Sequence, residues 1–126
     1  MSYKSKYQPV LELGEEFGIK DGYVNDNPDR LEIGGVAETQ YQKDRIWDKI
    51  KEIGGENPSD IMADIKVANT GYYHKHKVVS GDTLGKIAKK YYGTPGAYMK
   101  IFEANTHILK DPNVIFPDQE LIIPNP

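Results

Sequence analysis

The chain has 126 residues, 16 Lys+Arg and 19 Asp+Glu, for a formal charge of −3, and it contains no cysteine. This composition suits one globular domain or two small ones. It excludes disulfide staples, a thiolate nucleophile and every cysteine-based metal site. No apolar run approaches the ~18 residues of a membrane span, and the first residues lack the apolar stretch of a secretory signal. From these features we expect a cytoplasmic protein with neither membrane nor nucleic-acid partners, since a net acidic surface does not displace phosphate counterions.

Charge divides the chain. Residues 1–69 hold 9 basic and 14 acidic side chains, and residues 70–126 hold 7 and 5. In chain order, the first predicted helix runs from Pro9 to Phe17. Proline suits its first turn, Gly18 its end, and Val10, Leu13 and Phe17 share a face. Asp26-Asn27-Pro28-Asp29 reads as a turn. Leu31 and Ile33 begin a strand in which Gly34-Gly35 marks a bulge or a close backbone approach. Thr39 and Gln42 have capping-box spacing. They open a helix striped by Ile46, Trp47, Ile50 and Ile53 and ended by Gly54-Gly55. Trp47 is the expected core anchor. Ile61, Ala63, Ile65 and Val67 alternate with polar positions on a half-buried strand.

Ala68-Asn69-Thr70-Gly71 is small and polar, as a boundary should be. Beyond it, Lys75–Val79 reads as a strand, with Ser80 or Asp82 as the expected cap of the next helix. Leu84, Ile87, Ala88 and Tyr91 form the apolar stripe of that helix, and Gly93 ends it. Thr94-Pro95 reads as cap and first position of a second helix with Tyr98, Ile101 and Phe102 inward. Two turn signals follow, at Asp111-Pro112-Asn113 and Phe116-Pro117-Asp118, before a last strand at Leu121–Ile123. The expected architecture is α+β: an αββαβ unit over 1–69, then a βααβ unit over 70–126.

The second unit carries a set of spaced residues: Val78-Val79-Ser80-Gly81-Asp82-Thr83-Leu84, Ile87-Ala88, Tyr92-Gly93, Ile101, Ala104-Asn105, Asn113, Ile115, Pro117, Gln119, Leu121 and Ile123-Pro124. It resembles the LysM module, with Asp118 standing where that family usually has glycine. Leu31–Thr39, the helix to Ile53 and the Ile61–Val67 strand are similar to the BON domain. The order of the two resembles small bacterial potassium-binding BON–LysM proteins.

The LysM resemblance implies a non-catalytic binder of N-acetylglucosamine-containing glycan, of peptidoglycan or chitin type. It places the glycan between two loops, at Gly81, Asp82, Thr83 and Leu84 and at Ile108, Leu109, Asp111, Val114 and Ile115. The BON–LysM resemblance implies instead a potassium ion held by backbone carbonyls, which leave little side-chain trace. The glycine pairs Gly34-Gly35 and Gly54-Gly55 are the candidate turns. No other cofactor is expected.

Other clusters read as structural. His74 and His76 share a strand face without an evident third ligand, and packing explains them better than zinc. Asp21, Asp26 and Asp29 lack calcium-loop spacing. Glu15-Glu16 are adjacent on a helix and diverge, unlike a glycosidase pair. Lys86, Lys89 and Lys90 form a solvated helix face. Nucleophile-elbow and phosphate-loop motifs are absent.

Overall fold

A computed structural model describes residues 2–126. The chain divides into two compact units, one ending at Thr70 and the other starting at Gly71.

The N-terminal unit opens with a one-turn helix, α1 (Tyr3–Lys6), and then α2 (Gln8–Phe17). Pro9 lies in the first turn of α2, where its missing N–H costs nothing. Gly18 ends the helix at φ 68°, a conformation glycine adopts without penalty. β1 (Lys20–Asp26) pairs antiparallel with β2 (Leu31–Thr39), and β2 pairs parallel with β3 (Ile61–Asn69). The parallel pair needs a crossover, which is α3 (Gln40–Gly54). Thr39 caps α3 by accepting from the Gln42 amide at 3.4 Å, while Gln42 Oε1 accepts from the Glu38 amide at 3.0 Å. The predicted capping box is therefore present, with its return bond one residue earlier than the motif's usual donor.

Strand order is β1-β2-β3, so β2 is central and its Leu31, Ile33 and Ala37 are buried. They meet Val10 of α2, Ile46 and Ile50 of α3, and Ile61 and Ile65 of β3. One expectation needs correction. Trp47 is not the centre of this core. It is partly buried and packs against the core from its margin, because it follows Ile46 on the helix and turns ~100° from it. The fully buried aromatic is Tyr7, from the short link between α1 and α2, a position outside any periodic stripe. The glycine pair does mark a close approach. A Cβ on Gly34 would lie 2.5 Å from the Tyr23 ring, and the bulge itself falls opposite, between Lys20 and Tyr23 of β1.

The C-terminal unit runs β4 (His74–Lys77), α4 (Leu84–Tyr92), a 3₁₀ turn (Pro95–Ala97), α5 (Tyr98–Ala104) and β5 (Glu120–Ile123). β4 and β5 pair antiparallel, from His74 opposite Ile123 to Lys77 opposite Glu120. All four predicted stripe residues of α4 are buried. Its cap is Thr83, which accepts from the Lys86 amide at 3.1 Å, rather than Ser80 or Asp82. Asp82 is committed elsewhere. The second helix does not start at Pro95, because that segment closes as the 3₁₀ turn and Thr94 makes no side-chain cap bond. Tyr98 consequently emerges at the surface, while Ile101 is fully buried.

Asn105, also fully buried, ties α5 to β5. Its Nδ2 donates to the Ile101 and Ile122 carbonyls, and its Oδ1 accepts from the Ile122 amide, each at 2.8 Å. Asp118 sits at φ 73°, the left-handed conformation that a glycine would take without strain.

Candidate functional site

A groove of about 320 Å³ opens on the C-terminal unit where the β4–α4 loop faces the long loop before β5. Asp82, Thr83, Leu84 and Gly85 form one wall, Pro112, Asn113 and Ile115 the other, and Tyr98 also lines it. The second wall is shaped by a turn in which Asp111 Oδ1 accepts from the Asn113 amide at 2.8 Å and the Asp111 carbonyl accepts from the Val114 amide at 3.1 Å. Ile115 gives this groove an apolar contact, whereas Leu84 borders it with a side chain that is itself buried.

Of the residues the sequence singled out, Asp82, Thr83, Leu84 and Ile115 line the groove. Gly81 and Asp111 sit beside it as turn residues. Ile108 and Val114 are exposed but outside the lining. Leu109 does not belong to a binding surface at all. It is 2% exposed, because the turn after α5, closed by the Leu109 amide on the Asn105 carbonyl at 2.8 Å, folds it into the core. Pro112 and Asn113 belong to the expected second loop, Ile108 to Ile115, without having been singled out, and sequence reasoning missed Gly85 and Tyr98. The signal for Tyr98 was an aromatic next to a proline-started turn, which we assigned to the inner stripe.

Asp82 also anchors the first wall. His76 Nε2 lies 2.9 Å from its Oδ2, the Val79 amide donates to the same oxygen at 3.0 Å, and His76 Nδ1 lies 2.7 Å from the Tyr91 hydroxyl. Burial pushes the Asp82 carboxyl up, but the His76 contact and the Val79 amide outweigh it and hold the group below the usual carboxylate range. Both ring nitrogens of His76 are therefore engaged, and His74 packs its ring 5.5 Å from that of Tyr91. These contacts explain the histidine pair as packing and loop anchorage. Among the described residues, no three His, Asp or Glu side chains gather as a metal site would need.

The N-terminal unit presents a cleft of about 510 Å³, lined by apolar side chains such as Val10, Leu11, Ile19 and Val24, together with Lys4, Gln8 and Glu15. Away from the cleft, the Tyr7 hydroxyl donates to Asp60 Oδ1 at 2.5 Å and Lys6 pairs with Oδ2. The Lys6 ammonium and the Tyr7 hydroxyl hold the Asp60 carboxyl below its usual range, while burial pushes the Tyr7 phenol up.

The glycine pairs proposed as carbonyl turns differ in what they offer. Gly34 and Gly35 are not a turn. They lie in the central strand, opposite Asp64 and Ile65 of β3, so the strand ladders use their peptide groups. Gly54 and Gly55 do end a helix, where last-turn carbonyls emerge.

A family model described as LysM domain matches residues 76–124, which span this groove and the helices that carry it. Residues 76–124 form a LysM domain. The groove thus lies on the LysM domain, between its first helix and the loop before its last strand. The chain is also 53% identical over 92 residues to the Potassium binding protein Kbp of Escherichia coli O6:H1. That match covers 73% of this chain and 61% of the relative, so the chain spans about three fifths of the relative's length. The matched stretch is longer than the unit holding the LysM domain (Gly71–Pro126), so the similarity extends into the N-terminal unit.

Proposed function

We propose that this chain is a non-catalytic potassium-binding protein, with a BON-like unit followed by its LysM domain. The observation that supports this reading is the reach of the similarity. A relative named for potassium binding shares 53% identity over a stretch that no single unit contains. Two properties of the chain agree with it. Residues 1–69 carry five more acidic than basic side chains, which raises the local concentration of cations. A large monovalent ion takes backbone oxygens and needs no acidic cluster.

The test is thermal unfolding in potassium chloride and in sodium chloride at equal ionic strength. Fluorescence of Trp47, the sole tryptophan, reports the N-terminal unit. A ligand that binds only the folded state adds RT ln(1 + [L]/Kd), about 2.7 kcal/mol at 100-fold saturation. Higher melting in potassium is the expected result, and superimposable curves overturn the reading.

The groove supports a second reading, binding of an N-acetylglucosamine glycan. Its exposed Tyr98 ring and Ile115 suit the methyl and ring faces of an N-acetyl sugar. Titration with chitin oligomers should move the amide resonances of Thr83 and Asn113 before those of the N-terminal unit. Silence at millimolar sugar would reject it.

A further inference from the structure

β3 is an edge strand. β2 lies on one side of it and, among the described residues, no strand lies on the other. Its pairing with β2 runs from Leu31 opposite Ile61 to Thr39 opposite Asn69 without a register shift, so the outer edge is long and regular. Such an edge presents backbone donors and acceptors to any strand that can align with it. The opposite edge, β1, differs. It carries the bulge between Lys20 and Tyr23 and a left-handed Asp21 at φ 52°, irregularities that discourage pairing.

The side chains of β3 supply the specificity. Met62, Asp64, Lys66 and Ala68 are exposed on one face, and Ile61 and Ile65 are buried on the other. In an antiparallel pair of identical strands centred on Ile65, Asp64 of each copy stands opposite Lys66 of the other, and Met62 opposite Ala68. Opposite charges directly across a strand pair stabilise it and like charges destabilise it. Sliding the copies by two residues, the smallest shift that keeps the faces matched, sets Asp64 against Asp64 or Lys66 against Lys66. One register is therefore favoured and both neighbouring registers are penalised. α3 packs against both β2 and β3. With strands ~4.8 Å apart, the two copies of α3 would lie about 10 Å from each other, within reach of ordinary helix packing.

We propose that β3 pairs with β3 of a second copy of this chain, antiparallel about Ile65, joining two three-stranded sheets into one of six strands with two-fold symmetry. The test uses the full chain in sedimentation equilibrium. Wild type should dimerise as concentration rises. Lys66→Asp, and separately Asp64→Lys, place like charges in both cross-strand pairs and should each weaken the dimer by about tenfold or more. The double swap D64K/K66D restores opposite charges and should restore the dimer. Trp47 fluorescence confirms that each variant is folded.

Cross-linking fixes the register. Because the chain has no cysteine, a mixture of Met62→Cys and Ala68→Cys chains should form a disulfide between unlike copies on mild oxidation, and neither alone should. A wild type that stays monomeric at millimolar concentration overturns the proposal. So does a double swap that stays monomeric while folded, or a disulfide formed by Ala68→Cys alone.

Discussion

Replacing Tyr7 by Phe removes one oxygen and nothing else from the N-terminal core. The ring is fully buried and its hydroxyl donates to Asp60 Oδ1 at 2.5 Å. A hydrogen bond to a charged group contributes about 1.5–3 kcal/mol. Asp60 keeps Lys6, and its side chain is 17% exposed, so water partly replaces the lost donor. We therefore place Tyr7→Phe near the lower end, at about 1.5 kcal/mol. With a urea slope of ~1 kcal/mol/M for a unit this small, the midpoint should fall by about 1.5 M. Urea titration followed by Trp47 fluorescence reads this unit alone.

The pH dependence carries a second signature. The carboxyl of Asp60 is held below its ordinary value of 3.8 by Lys6 and Tyr7. As pH falls, the unfolded chain takes up this proton first. The stabilisation is thus complete above pH ~4 and is lost as pH drops through the lower folded-state value. The gap between wild type and Tyr7→Phe should accordingly narrow in acid. An unchanged midpoint at pH 7, or a gap that is the same at pH 7 and at pH 2, would refute the role given to this pair.

Two substitutions probe the C-terminal unit. Asn105→Ala deletes three bonds at a fully buried site and strands two carbonyls and an amide, so a loss of about 3 kcal/mol or more is expected, read by calorimetry of the full chain. Asp118→Gly places glycine at a left-handed position and should raise stability by up to about 1 kcal/mol, visible as a higher midpoint for the same unit.

What the sequence revealed depended on whether a signal was periodic. The α4 stripe was readable because Leu84, Ile87, Ala88 and Tyr91 repeat at helical spacing, and the half-buried β3 because its apolar residues alternate. Thr39 was readable as a cap from its spacing to Gln42. Tyr7 was not, since it is the single residue linking two helices and its hydroxyl partner, Asp60, lies more than fifty residues away. The groove was legible only in part. Asp82 and Thr83 were marked as loop residues, but Asp82 is drawn from capping by His76, a partner six residues back across a loop. Leu109 and Tyr98 exchanged expected roles. Where a loop folds back determines which apolar residue goes inward, and local sequence does not encode that path.

The pairing of β4 with β5 has a consequence for how the LysM fold is deployed. With His74 opposite Ile123, the polypeptide arrives and departs on neighbouring strands, about 5 Å apart. A module whose two ends meet this closely can be spliced into a surface loop of a host, or strung in series on brief tethers, without prising the recipient open.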